Sequence, residues 1–171
     1  MARPDKPLRG VATRSPLDPD DAFGTLTRHR VDFIVIGGIA AIAHGSRRMT
    51  EDLDIIIDRR VANCRRLIAA LVELEAKYRL SSGRWTKLSP KADPKWLAKE
   101  NLLFETRAGG IDVMNRLDGL PTWKEARPRA LEAEAFGHTV LIVDKDRLIR
   151  SKLVAGRDKD LSDVAELTES E

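Results

Sequence analysis

Apolar and polar positions along the chain predict an alternation of short strands and helices. Two segments, 32–36 and 53–57, are short, mostly apolar and rich in β-branched residues, which is typical of buried strands. Between Arg60 and Lys77 the apolar residues recur at the spacing of one helix face, so this segment is the most clearly predicted helix. Other helices are predicted at 19–30, 38–44, 146–155 and 161–167.

The second half of the chain contains two predicted β-hairpins. One joins 102–106 to 111–114, and the other joins 130–136 to 139–143 with a turn at Gly137. The segment 80–100 is predicted to consist of loops, because serine, glycine and proline mark turns within it. A βαβα order followed by antiparallel strands indicates an α/β (α+β) fold, a small mixed β-sheet flanked by helices.

Length and composition indicate one domain of ordinary size. The 171 residues predict a single domain over 17–168, preceded by a mobile basic tail at 1–16. The single cysteine excludes an internal disulfide and indicates a reducing, cytoplasmic setting. No apolar run reaches the ~18 residues of a membrane span, so we expect no contact with a membrane. The net charge of +3 fits a polyanionic partner without requiring one.

Two acidic residues open the second apolar run. Asp52 and Asp54 are two positions apart, so on a strand their side chains point to one face, about 6.5 Å apart. Burial and like charge both destabilise such a pair, and a divalent cation relieves both effects. Oxygen ligands without histidine or thiolate favour Mg²⁺ or Mn²⁺. Alternatively, Asp52 belongs to the preceding loop, and Asp54 pairs with an arginine such as Arg47 or Arg48.

A third acid, Asp112, lies between apolar residues in the first predicted hairpin. If its strand neighbours the strand of Asp52 and Asp54, three carboxylates converge. Three carboxylates can hold two metal ions about 3.5–4 Å apart, the arrangement that stabilises the attacking and leaving oxygens of phosphoryl-type transfer. Asp112 is also a candidate to accept the proton of an attacking hydroxyl. The alternative is a hairpin aspartate that pairs with a nearby basic side chain.

Gly37 and Gly38 follow the first apolar run and precede a predicted helix. Glycines allow a sharp turn at this point, and the free N–H groups of a helix start favour a phosphate. The pair alone is weak evidence, since strand–helix turns commonly contain glycine. Neither a Walker loop nor a dinucleotide-binding fingerprint is present here.

Several charged residues are candidates to contact phosphate or to support the site. Lys152 lies on the apolar stripe of its predicted helix, so it either extends to the surface or reaches an anion. Arg47 either contacts phosphate or is a solvated loop charge. Asp160 either caps the last helix or belongs to a mixed-charge group with Arg157.

Together these residues resemble the nucleotidyltransferase superfamily that includes DNA polymerase beta. Its pattern is a strand, an apolar residue with Gly-Gly or Gly-Ser, roughly a dozen residues, Asp-x-Asp entering the next strand, and a third aspartate on a later strand. The matching residues are Ile36-Gly37-Gly38, Asp52-Leu53-Asp54 and Asp112.

A closer resemblance is to abortive-infection-type (AbiEii-like) toxin nucleotidyltransferases and their small relatives. The shared stretches are T-x-D-x-D from Thr50 to Asp54, an F-x-T-x-x-G-x-x-D-like hairpin from Phe104 to Asp112, and K-x-x-A-x-R-x-K-D-x-x-D from Lys152 to Asp163. This resemblance covers roughly residues 32–164.

The resemblance implies a metal-dependent enzyme that moves a nucleoside monophosphate from an NTP such as ATP to a hydroxyl. It implies two Mg²⁺ ions, or Mn²⁺, on Asp52 and Asp54, with Asp112 as third ligand or base. The implied nucleotide contacts are Gly37, Gly38, Arg47, Thr50 and Lys152, with Arg157 and Asp160 in support.

The same resemblance favours a tRNA or a protein as acceptor, and a toxin with a cognate antitoxin is one interpretation. The alternative is a non-catalytic nucleotide- or RNA-binding module, or an antitoxin partner, on the same fold. A plain structural domain would instead leave the three acids scattered on the surface.

Overall fold

A computed structural model describes residues 15–116 and 118–169 of the protein. The strands are β1 (Phe33–Ile36), β2 (Asp52–Ile57), β3 (Lys77–Arg79), β4 (Trp85–Lys87), β5 (Leu102–Thr106), β6 (Gly109–Val113), β7 (Leu131–Ala135) and β8 (His138–Ile142). The helices are α1 (Pro19–Arg28), α2 (Gly37–Ala43), α3 (Val61–Glu73), α4 (Pro94–Leu97), α5 (Trp123–Ala126), α6 (Lys145–Ala155) and α7 (Asp158–Glu169). The first fourteen residues of the predicted basic tail lie outside the described ranges.

All eight strands join one mixed sheet in the order β4-β3-β5-β6-β2-β1-β8-β7. The predicted hairpins are confirmed as the antiparallel pairs β5–β6 and β7–β8. Two pairs are parallel, β2 with β6 and β1 with β8. Strand β2 is therefore central, with β1 antiparallel on one side and β6 parallel on the other. The predicted mixed α/β fold is confirmed.

One face of the sheet is covered by α1, α3 and α4. Phe23 of α1 stacks on Phe33 with ring centroids 6.3 Å apart, and Trp96 of α4 contacts Tyr78 at 5.0 Å. Phe33 and Tyr78 point to this face, as do the buried residues Leu53, Ile55, Ile57, Phe104, Ile111 and Val113. The hydrophobic core lies mainly here, and its burial is the dominant stabilising contribution.

The opposite face carries Asp52, Asp54 and Asp112, and α2, α6 and α7 lie beside it. Helix α2 contacts β2 and α6, and α6 packs on α7. The imidazole of His44, at the end of α2, hydrogen-bonds the Val143 carbonyl at 2.8 Å and ties α2 to the end of β8. Among residues 15–116 and 118–169, no helix combines the length and apolar character needed to cross a membrane.

Three predicted segments differ from the structure. The last helix, predicted at 161–167, spans Asp158–Glu169. The helix predicted over 60–77 spans Val61–Glu73, because Glu75 adopts a left-handed φ of +58° and Ala76 N–H bonds back to the Leu71 carbonyl. The following residues turn into β3. The segment 80–100, predicted as loops, contains β4, which pairs with β3 just before it, and the short helix α4. These elements of three and four residues are too brief to show a periodic pattern.

Candidate active site

The sheet register brings the distant acid Asp112 beside Asp54. In the parallel β2–β6 pair, Asp54 lies opposite Asp112 and Asp52 lies opposite Gly110. Residues at paired positions point to the same face, and neighbouring strands are about 4.8 Å apart. Asp112 is 8% exposed, while Asp52 and Asp54 are half-buried. The three predicted acids therefore share one face of the sheet.

This concentration of negative charge changes the ionisation of Asp54. Burial, followed by the charges of Asp112 and Asp52, raises the pKa of Asp54 to about 7, although the cations Lys159 and Lys152 act in the opposite direction. The site is thus short of positive charge. Arg48 does not pair with Asp54, as one alternative from the sequence had it. Its Nε donates instead to Asp163 at 2.9 Å.

The two glycines are placed where side chains would collide with the site. Gly37 begins α2 with φ of +64°, and a Cβ there would lie 2.1 Å from Asp54 Oδ2. A Cβ on Gly38 would lie 2.5 Å from Thr50 Oγ1. Thr50 also donates to the Asp52 carbonyl at 3.2 Å, so the residues before β2 are fixed against the glycine turn. The glycine pair lets the start of α2 approach the acids closely.

A network of charges, buried at Lys152, Asp160 and Asp163, lies between α6 and α7. Lys152 is only 5% exposed and donates to Asp163 Oδ2 at 2.6 Å, with Asp160 Oδ1 at 3.7 Å. Arg157 Nε donates to Asp160 at 2.6 Å. Burial opposes the ionisation of Asp160, but the hydrogen bond and charge of Arg157, with the charge of Lys152, outweigh it and lower the Asp160 pKa.

This network decides between alternatives that the sequence left open. Lys152 does not extend to the surface and instead reaches an anion, the Asp163 carboxylate, with Asp160 farther away. Asp160 is not the cap of the last helix, because α7 begins at Asp158 and the Asp160 side chain is 3% exposed and accepts from Arg157. Lys152 and Lys159 still act on the acid site through their charge.

Sequence reasoning missed Glu166 of α7. Its carboxylate accepts from Ser46 Oγ at 3.0 Å and from the Arg47 backbone N–H at 2.8 Å, which holds the loop between α2 and β2. These two hydrogen bonds lower the pKa of Glu166, and the larger effect comes from the Arg47 backbone N–H. The side chain of Arg47 itself is exposed. The only signal in the sequence is that Glu166 lies one helical turn after Asp163, so both point toward this loop.

The donor chemistry of the acid cluster fits a hard divalent cation. Its donors are carboxylate oxygens, and they carry excess negative charge on one face of the sheet. Within the described ranges, no three His, Cys, Asp or Glu side chains are arranged to hold a metal ion as they stand. The backbone positions of Asp54 and Asp112 nevertheless lie on adjacent strands, within reach of a shared ion.

The fold and the acid-and-glycine site define a protein of the nucleotidyltransferase class. The chain belongs to the family described as a nucleotidyltransferase of unknown function (DUF6036), whose family model matches residues 23–169. The predicted superfamily is thereby confirmed.

A solved structure supports the same fold. The solution structure of the antibiotic-resistance factor ANT(2'')-Ia is similar with a TM-score of 0.58 and 16% sequence identity, covering 89% of this chain and 81% of that one. At this identity the similarity shows the fold alone. A search of the curated proteins finds no match. The closer resemblance to the toxin enzymes stays a prediction.

Proposed function

We propose that this protein transfers a nucleoside monophosphate from an NTP to a hydroxyl acceptor and releases pyrophosphate. The observation that carries the proposal is the register of β2 and β6, which pairs Asp54 with Asp112 beside the glycine turn. Three acids on one face, with no room for a side chain at Gly37, suit a phosphate-bearing substrate bound through a cation.

In this proposal Asp52, Asp54 and Asp112 hold Mg²⁺ ions, with Mn²⁺ as an alternative. Bound there, the ions supply charge neutralisation for the triphosphate oxygens and for the leaving pyrophosphate. Gly37 and Gly38 allow the triphosphate to approach the start of α2, where backbone N–H groups face it. Asp112 accepts the proton of the acceptor hydroxyl, whose oxygen then attacks the α-phosphorus.

The cations near the acids have separate roles in this proposal. Lys152 is held by Asp163 and sets the potential at the acids from within the fold. The exposed side chain of Arg47 and the hydroxyl of Thr50 contact the nucleotide, while Glu166 fixes the loop that carries Arg47. Asp160 of α7 supports Lys152, and Arg157, which directly precedes α7, holds Asp160.

For the acceptor we propose a tRNA or a protein, on the basis of the resemblance to AbiEii-like toxins. The same resemblance supports action as the toxin of a toxin–antitoxin system in the cytoplasm, with an antitoxin as partner. ANT(2'')-Ia, named as an antibiotic-resistance factor, shares the fold, so a small-molecule hydroxyl is a further outcome of the test.

The test begins with binding. Mg²⁺ with an NTP is expected to raise the melting temperature of the wild-type protein, and Asp54→Asn is expected to abolish that shift. The control is Glu132→Gln, an exposed acid on β7, which should leave the shift unchanged. Incubation with each α-labelled NTP, total RNA and cell extract then shows which fraction gains label. Binding without any transfer would favour the non-catalytic module, and no shift in the wild type would contradict the proposal.

A further inference from the structure

Two rows of paired residues continue from the acids across the outer strands of the sheet. Each step follows the observed register, with Arg79 placed beside Leu103 by extending the β3–β5 register one residue beyond Tyr78–Phe104. The first row is Asp54, Asp112, Leu103, Arg79 and Trp85. The second row is Asp52, Gly110, Glu105, Lys77 and Lys87. Because paired residues share a face, both rows lie on the face of the acid cluster.

The outer part of these rows is open. Leu103 is 48% exposed and Trp85 is 39% exposed, and the three cations beside them are also exposed. The reverse side of the same strands is packed, because Tyr78 contacts both Trp96 and Phe104 there. We call this open surface the platform and define it by Leu103, Trp85, Lys77, Arg79 and Lys87.

The platform has a definite chemistry. It carries three cations and one indole ring, and the half-buried Glu105 is the acid between Lys77 and the active site. Trp85 lies opposite Arg79 and Lys77 lies opposite Lys87, so charge and aromatic surface are interleaved. A positively charged surface with an aromatic ring is the combination that binds single-stranded nucleic acid.

We propose that the platform binds the single-stranded end of an RNA acceptor and directs its terminal hydroxyl toward Asp112. This inference rests on the proposed nucleotidyl transfer. From Asp112 to Trp85 there are three strand steps of about 4.8 Å, or about 14 Å, the length of about four stacked nucleotides at ~3.4 Å each. Trp85 stacks on a base, and Lys77, Arg79 and Lys87 contact phosphates. A protein acceptor is disfavoured because lysine is depleted in protein–protein interfaces.

The platform can be tested with two charge-matched double variants of the full chain. Lys77→Gln with Lys87→Gln removes two platform cations. Arg65→Gln with Lys91→Gln removes two exposed cations beside the groove of α3 and α4, on the covered side of the sheet. Binding of a fluorescent single-stranded RNA decamer is followed by anisotropy over a range of salt concentrations, and binding of Mg²⁺ with NTP is measured separately by melting temperature.

We expect the platform double variant to bind the decamer about tenfold more weakly, with a salt dependence reduced by about 1.4 in log–log slope. The control double variant should keep the affinity of the wild type for the decamer, apart from the general loss of attraction that follows the removal of two positive charges. Trp85→Leu should weaken RNA binding by about 5- to 150-fold, the range for one lost stacking contact. Label transfer to RNA should fall in each variant in proportion to its loss of RNA binding. The rise in melting temperature with Mg²⁺ and NTP should stay unchanged in both double variants and in Trp85→Leu.

Other outcomes separate the two proposals. Equal losses in both double variants, no RNA binding by the wild type, or label transferred to protein would overturn the platform and leave nucleotidyl transfer standing. If Mg²⁺ with NTP does not raise the melting temperature of the wild type, but RNA binding still depends on the platform, then nucleotidyl transfer is overturned and the platform remains an RNA-binding surface.

Discussion

Replacing Asp54 by asparagine should stabilise the metal-free protein at alkaline pH. The folded state raises the pKa of Asp54 from 3.8 to about 7. The folded protein therefore binds the proton more tightly than the unfolded chain between these values, and stability falls as pH rises through that window. A shift of this size corresponds to about 4 kcal/mol of destabilisation above pH 7, at ~1.36 kcal/mol for each unit of pKa.

Asparagine has nearly the same shape and no charge, so Asp54→Asn should recover most of this free energy. We expect the free energy of unfolding to be higher in the variant than in the wild type by about 1.5 kcal/mol at pH 5 and by about 4 kcal/mol at pH 8. The difference is smaller at pH 5 because the folded wild type then carries mostly the protonated, uncharged form of Asp54. Urea denaturation in EDTA, followed by tryptophan fluorescence, measures both values.

Two further results check the reasoning. Glu132→Gln, an exposed acid, should change stability by less than about 0.5 kcal/mol at either pH. Adding Mg²⁺ should stabilise the wild type at pH 8 and not the variant, since the cation neutralises the charge that asparagine lacks. If Asp54→Asn is no more stable than the wild type at pH 8, then burial and repulsion of the Asp54 carboxylate do not destabilise the folded protein, and the reasoning is refuted.

Two other substitutions probe the surroundings of the acids. Gly37→Ala should destabilise the protein more than Gly137→Ala and should also weaken binding of Mg²⁺ with NTP in calorimetry, because a Cβ at Gly37 meets Asp54 whereas a Cβ at Gly137 has nothing within 4 Å. Both glycines have positive φ, so the comparison cancels a backbone strain of about 1 kcal/mol. Lys152→Met should cost about 3 kcal/mol in urea denaturation, because Asp163 is 1% exposed and loses its closest cation. A loss below about 1 kcal/mol would contradict the buried pair.

The sequence predicted the main elements because their signals are local. The β-branched run of β2, the helical spacing within α3 and the glycine turn at Gly137 each follow from a few neighbouring residues. The pairing of Asp54 with Asp112 followed from a conditional argument about neighbouring strands, and the register of β2 and β6 satisfies that condition.

Other features depend on contacts between segments that are distant in sequence. Strands β3 and β4 have three residues each and form because Tyr78 packs against Trp96 and Phe104. The attachment of Glu166 to the loop at Ser46 likewise depends on how α7 lies across the site. No local pattern encodes these contacts, so propensity and spacing could not predict them.

The parallel pairing of β2 and β6 also has a consequence for synthesis of the chain. Asp54 and Asp112 are separated by α3, β3, β4, α4 and β5, so the two acids meet only after this whole intervening segment has been made and has docked. Long-range pairing of this kind forms late because loop closure must precede it. A nascent chain that still lacks β6 holds only two of the three acids, Asp52 and Asp54, so the cluster and the metal site proposed for it are complete only once β6 has docked.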